Sequence, residues 1–320
     1  MNKGLAMVAS GFALALSADP VPASCGSAFC SINTNWGVQG AWTEPGARAD
    51  LRYEYINQDQ PMNGKDKVSV GQIPMHHDEV HTVNRNWIAT FDYAFSSGWG
   101  VSALVPVVDR DHLHIHNHQG AQIPESWDFT EPGDVRVMGR YQFATKEGAD
   151  HSLLSSGVNF GIKLPTGKFD VTNDEGEKAE RTLQPGSGTT DVLLGGYLQG
   201  NLPLKDTSWF AQAMVQAALN TREEFRPGDR LTVDFGVRYQ LRDLGLMLQL
   251  NTLVKAKDRG DEAEPDDSGG KFVYLSPGIS YSLTRDLQIY GFVQFPVYQY
   301  VNGVQLVANR AVALGVSGRF

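Results

Sequence analysis

From about residue 48 to the last residue, hydrophobic and polar positions alternate with a period of two. Ala49, Leu51, Tyr53 and Tyr55 are interleaved with Asp50, Arg52 and Glu54, and Trp87, Ala89, Phe91, Tyr93 and Phe95 with Asn86, Thr90 and Asp92. An extended strand sends successive side chains to opposite faces, so each segment has one apolar and one polar side. The pattern recurs at Trp99–Val107, Val135–Phe143, Leu154–Leu164, Val192–Leu198, Trp209–Leu219 and Leu231–Leu241. It continues through Leu244–Val254, Val273–Leu283, Leu287–Val297 and Val307–Phe320, which makes twelve segments. Most are about ten residues long, the length a tilted strand needs to cross a bilayer. No helical period of similar length competes. The predicted fold is all-β, an antiparallel transmembrane β-barrel of about twelve strands, the even number that keeps both termini on one side.

The connections alternate too. Short turns fall at Ser96-Ser97-Gly98, Thr145–Ala149, Pro203–Thr207, Arg242-Asp243 and Thr284-Arg285-Asp286. Long polar loops are expected at 57–84, 108–133, 165–190, 220–230 and 257–271. Short turns on the periplasmic side and long loops outside are the asymmetry of a bacterial outer-membrane barrel. Val312, Leu314, Val316, Gly318 and Phe320 form an apolar row ending on an aromatic. That row resembles the terminal-strand signal of outer-membrane barrels.

The chain divides into a secretory signal at 1–23, an N-terminal periplasmic segment at 24–47 and the barrel at 48–320. Lys3 followed by an uncharged stretch to Ala18 carries the first assignment. In the second, Trp36, Val38, Gly40 and Trp42 also alternate, but counting them would give an odd strand number. The segment is therefore expected under or inside the barrel, with Cys25 and Cys30 closing a small disulfide loop after export.

Composition narrows the function. The 320 residues carry a net charge of −9, which argues against a nucleic-acid partner needing a basic face. The expected partners are outer-membrane lipid, lipopolysaccharide and a small-molecule solute. Parity along the strands points acidic Asp50, Glu54, Asp92, Asp134, Asp191 and Asp234 inward, against basic Arg52, Arg136, Arg140, Lys163, Arg238 and Arg242. Such a balanced interior suits ion-paired walls. The same parity points Tyr197, Phe210, Phe272, Tyr274, Tyr290, Phe292 and Tyr298 into the lumen, either lining a path for an aromatic solute or filling space.

Histidine is the other candidate chemistry. His76, His77 and His81 fall in one predicted outer loop, and His112, His114, His116 and His118 in the next. Spacing by two along an extended backbone puts the latter four on one side, where Asp78, Glu79 or Asp111 could complete a Zn²⁺ or Cu²⁺ site on the outer face. A merely polar, titrating loop is the alternative. No other cofactor is expected. No Gly-x-Ser-x-Gly elbow or phosphate loop is present, and His151 beside Ser152 sits at a predicted periplasmic turn, so the chain does not read as an enzyme.

Leu164-Pro165-Thr166-Gly167, followed by Gln184-Pro185-Gly186-Ser187-Gly188-Thr189-Thr190-Asp191, resembles the outer-membrane family named for the meta-pathway of phenol degradation. The resemblance implies a channel for passive uptake or efflux of small apolar or aromatic molecules, and it carries over no functional residues. Turn chemistry alone also explains these residues, since Pro165 suits a strand rim and the glycines a tight re-entry. A second function class remains: a metal-binding surface protein whose barrel is only an anchor.

Overall fold

A computed structural model describes residues 32–35, 39, 44–74, 78–118, 121–143, 146–147 and 153–320, with backbone alone at 118, 146–147 and 153. The signal, both cysteines, His76 and His77 lie outside the described residues. The strands are β1 (Gly46–Asn63), β2 (Asp66–Lys67), β3 (Asp78–Ala94), β4 (Trp99–His118), β5 (Ala121–Pro132), β6 (Arg136–Gln142), β7 (Lys146–Glu147) and β8 (Leu153–Lys163). They continue with β9 (Asp191–Asn201), β10 (Thr207–Ala218), β11 (Arg230–Leu241), β12 (Leu244–Lys255), β13 (Gly270–Ser282), β14 (Leu287–Val301) and β15 (Val304–Arg319).

Twelve of them form a closed antiparallel barrel, β1-β3-β4-β6 and then β8 through β15, because β15 pairs back onto β1 from Arg48↔Arg319 to Tyr55↔Val312. The short β2 and β7 pair with β1 and β8, and β5 pairs with the outer half of β4. Closure leaves no unpaired edge to face lipid.

Polarity is inverted relative to a water-soluble domain. Phe91, Leu194, Val297 and Leu314 are more than half exposed, whereas Gln249, Asn251, Ser276 and Gln294 are at most 2% exposed. Lipid covers the outer positions, and amides and hydroxyls meet one another inside, as where Ser276 Oγ donates to Asn251 Oδ1 at 2.7 Å. Outward aromatics pair at both rims, Tyr53 with Trp87 at the outer edge and Trp99 with Tyr141 at the periplasmic edge. Beyond Trp87 and Val107 the outward side turns polar, with Arg85 bound to Asp109 at 3.0 Å and His81 to Asp111 at 3.2 Å. The bilayer therefore ends there.

The ladder does not end with the bilayer. Predicted loops 57–84 and 108–133 are largely strand: β1 runs to Asn63, β3 begins at Asp78, β4 runs to His118 and β5 follows. The apolar-out, polar-in pattern disappears above the membrane, where Asp109 and Asp111 of β4 face outward and Trp127 and Phe129 of β5 are buried inside, while backbone pairing such as Thr82↔His112 continues. The outer connection between β14 and β15 is only Asn302-Gly303, with Gly303 at φ 56° supplying the left-handed turn position.

The interior is occupied from both ends. On the periplasmic side, the Asn33 amide donates to Gln249 Oε1 at 3.0 Å, Gln249 Nε2 donates to the Asn33 carbonyl at 2.9 Å, and Ile32 packs with Met247, Tyr290, Phe292 and Ala313. Described residues of the N-terminal segment thus lie inside the barrel. On the outer side, the β8–β9 loop folds inward, burying Ala179 and Leu183 against Val108, Trp127, Phe129 and Leu306.

Candidate functional site: a charged lumen under a buried histidine pair

The two motifs flanking the β8–β9 loop meet in one knot. Asp134 Oδ1 accepts the Gly167 amide at 3.0 Å. Its Oδ2 accepts the Ser187 amide and hydroxyl, each at 3.0 Å, and the Lys163 ammonium at 2.7 Å. Lys163 also donates to the Thr189 carbonyl at 3.0 Å and lies 3.3 Å from Asp191. The backbones of Gly167 and Gly186 cross so closely that a Cβ on Gly186 would stand 2.6 Å from the Gly167 carbonyl carbon. Turn chemistry is present, with Gly188 at φ 71°, but the motif does more. It clamps both ends of the loop to the wall and turns the middle of the loop into the lumen. There Arg110 donates to the Thr182 and Leu183 carbonyls, and the Trp127 indole donates to the Glu177 carbonyl at 2.9 Å.

Two cavities remain below the loop. A central one of about 210 Å³ lies between the loop and the wall. A periplasmic one of about 300 Å³ abuts residues 32–35. Arg52, Leu104 and Arg136 line both, so they form the boundary the two cavities share. Seven basic and four acidic side chains surround the central cavity, which departs from the even balance expected from parity. Arg110 comes from the part of β4 above the membrane and Arg181 from the inward loop, positions that strand alternation in the bilayer does not reach. Arg230 and Lys255 sit at inward strand ends, and Arg242, by contrast, is an exposed turn residue at φ 53° and leaves the lumen set. Ile88, Leu104 and Pro106 supply an apolar strip along the same chamber.

Among the aromatics, Tyr197, Phe210, Tyr290 and Phe292 are buried on the inner face, each lying over the glycine directly opposite on the neighbouring strand. The pairs are Gly157↔Tyr197, Phe210↔Gly236, Tyr290↔Gly315 and Gly278↔Phe292. The rings coat the wall rather than project across the lumen, and Tyr290 is anchored by donating to Asp50 at 3.0 Å. Phe272 and Tyr274 stack at 6.3 Å and 7° on the inner side of β13. Tyr298 does not join them. The β13–β14 register shifts between Val273 and Tyr274, which sets Tyr298 opposite outward Val273 and leaves it 49% exposed. The extra residue of a bulge reverses parity beyond it.

The histidines are also placed differently from the outer-face site expected. β4 sends His112 and His114 inward beneath Trp127, where they are 0% and 2% exposed. Glu79 joins them because the β3–β4 register shifts between Glu79 and His81, bringing both Glu79 and Thr82 inside. His112 Nε2 lies 3.3 Å from His114 Nδ1 and 3.7 Å from Glu79 Oε2. Thr82 Oγ1 meets His112 Nδ1 at 2.9 Å, and Glu125 Oε2 meets His114 Nε2 at 3.0 Å. His116 lies 3.9 Å from Glu125, His81 turns outward to Asp111, and Asp78 accepts from Asn117 instead of a histidine. The His118 side chain is outside the described residues. Burial lowers the pKa of both His112 and His114, so the imidazoles are neutral. Burial and then the neighbouring Glu264 push the Glu180 carboxyl well up, and burial and then Asp267 raise Glu264.

Residues 78–320 match the family described as "Putative MetA-pathway of phenol degradation". The chain belongs to this family. The matched residues include the segments that clamp the inward loop. In fold, this family member is similar to the COG4313 outer membrane channel from Pseudomonas putida F1, with a TM-score of 0.65 at 13% identity over 86% of this chain and 96% of that one. It is more distantly similar to the NanC porin, with a TM-score of 0.47 at 12% identity over 85% of this chain and 100% of the other. No curated protein matches. The architecture is that of a bacterial outer-membrane β-barrel.

Proposed function

We propose that this protein is an outer-membrane channel through which small aromatic or largely apolar molecules bearing an acidic group diffuse down their gradient. One observation carries the reading: the two cavities share a boundary of Arg52, Arg136 and Leu104, two guanidinium groups beside an apolar surface. An aromatic carboxylate or phenolate presents that same pair of features, and guanidinium forks suit planar oxyanions. The excess of bases around the central cavity favours anions over cations of equal size. Passage needs no chemical step and no energy coupling. Membership of a family described by phenol degradation, and likeness in fold to an outer membrane channel, support the reading. Reversal potentials in planar bilayers, with benzoate against benzylammonium across the membrane, test it. Anion preference that falls in Arg136→Gln is expected; cation preference, or no benzoate-dependent swelling of protein-loaded liposomes, overturns it.

A further inference from the structure

The buried histidine pair sits outside the solute path just described, and its geometry asks for an occupant. His112 Nε2 and His114 Nδ1 face one another at 3.3 Å, Glu79 Oε2 stands 3.7 Å from the first, and Glu180 Oε1 stands 3.9 Å from the second. The three ligand atoms of Glu79, His112 and His114 all lie within 4.8 Å of one another. Four ligands held about 2.0–2.2 Å from a tetrahedral Zn²⁺ are separated by roughly 3.3–3.6 Å. Three of the six edges, at 3.3, 3.7 and 3.9 Å, need only a few tenths of an ångström of closure to match, whereas Glu180 lies outside the set held within 4.8 Å and its side chain must swing further in to complete the tetrahedron. We propose that Glu79, His112, His114 and Glu180 bind one divalent cation of the zinc class, tying the inward β8–β9 loop to the β3–β4 wall.

Three further observations support the site. Each imidazole is oriented through its remote nitrogen, His112 by Thr82 and His114 by the Glu125 carboxylate, the outer-shell arrangement that fixes metal-binding histidines. Both carboxylate oxygens of Glu180 are shut off from solvent and have no hydrogen-bond partner among the described residues. Glu79, Glu125, Glu264 and Asp267 all add negative field at Glu180, and a divalent cation offsets that concentration of carboxylates. Two imidazoles and two carboxylates in a tetrahedral arrangement suit Zn²⁺ better than Mg²⁺ or Ca²⁺, which take six or more oxygens. The site joins elements far apart in sequence: Glu79 from β3, the histidines from β4 and Glu180 from the loop. Occupancy would therefore hold the loop in place across the lumen, whatever solute passes below it.

The competing account is a plain hydrogen-bond relay, Thr82–His112–His114–Glu125, with no ion. Zn²⁺ titration of the detergent-folded, EDTA-stripped full chain separates the two, and it does not depend on conduction. The expected result is one Zn²⁺ per chain, and a Co²⁺-loaded form with the absorption of tetrahedral coordination. His112→Ala should weaken binding by at least about a hundredfold and Glu125→Gln by roughly 10–100-fold. Outward His81→Ala should leave binding unchanged. Glu180→Gln changes only the loop and should weaken binding at least about tenfold, which keeps the test decisive if His112→Ala fails to fold. Heat-dependent electrophoretic mobility reports the fold of each variant. Absence of Zn²⁺ binding overturns the proposal, as does binding indifferent to Glu180→Gln or lost in His81→Ala.

Discussion

Lys163 donates to Asp134 at 2.7 Å, and both are buried where the β8–β9 loop leaves and rejoins the wall. Removing one partner of such a buried pair costs about 3–5 kcal/mol, because the other charge is left uncompensated. Lys163→Met should release the loop while the strands stay paired. Limited proteolysis within 168–186 should accelerate at least about tenfold, and single-channel conductance should rise. An unchanged cleavage rate would show that the loop is held by its other contacts.

Tyr197 covers Gly157 so closely that a Cβ there would stand 2.5 Å from the ring. Gly157→Ala must displace the ring toward the lumen or strain the strand, a change that typically costs about 1–3 kcal/mol. The temperature at which the barrel loses its compact electrophoretic form should fall. Tyr197→Ala combined with Gly157→Ala should recover part of the loss, since the ring clash is then gone while that with the Tyr141 carbonyl oxygen, at 2.6 Å, stays.

Asn33 Nδ2 lies 3.4 Å from Asp234 Oδ2 and 3.1 Å from Gln212 Oε1. Asn33→Asp replaces this donor with an acceptor beside a carboxylate. The N-terminal segment should leave the lumen more often, and conductance at neutral pH should increase severalfold over the unsubstituted protein. Asn33→Gln should change it much less.

Glu264 carries a pKa raised to about 8 by burial and by Asp267 and Asp258 on its own loop, and Glu180 faces it from the β8–β9 loop. A carboxyl that holds its proton more tightly when docked than when released stabilises docking fully below about pH 4.5. The contribution declines as pH rises and is lost once pH passes about 8. With EDTA present, proteolysis of the loop should speed up by roughly 10–100-fold between pH 6 and 9. Glu264→Gln should flatten that dependence; a slope that survives in this variant assigns it to another group.

Period-two alternation alone determined the barrel, because lipid outside and water inside impose a side on every membrane-crossing residue, from Leu51 to Phe320. The rows Leu51/Tyr53/Tyr55 and Val312/Leu314/Val316, legible in the chain, are the rows that pair to close it. The family motif was legible too, since Pro165, Gly186 and Gly188 have local backbone requirements. What alternation does not encode is where it stops applying. Above Trp87 and Val107 the outward side of β3 and β4 is no longer a row of apolar residues, so the extension of β4 looked like a loop and its histidines like surface ligands. Single-residue shifts near Glu79 and Tyr298 each reversed a face, one bringing a carboxylate in and the other sending a tyrosine out. Arg181, Leu183 and Glu180 reach the lumen because Asp134, 53 residues before the loop's return at Ser187, helps hold that loop folded inward. Their positions follow from contacts between distant segments, which only the closed tertiary structure brings together.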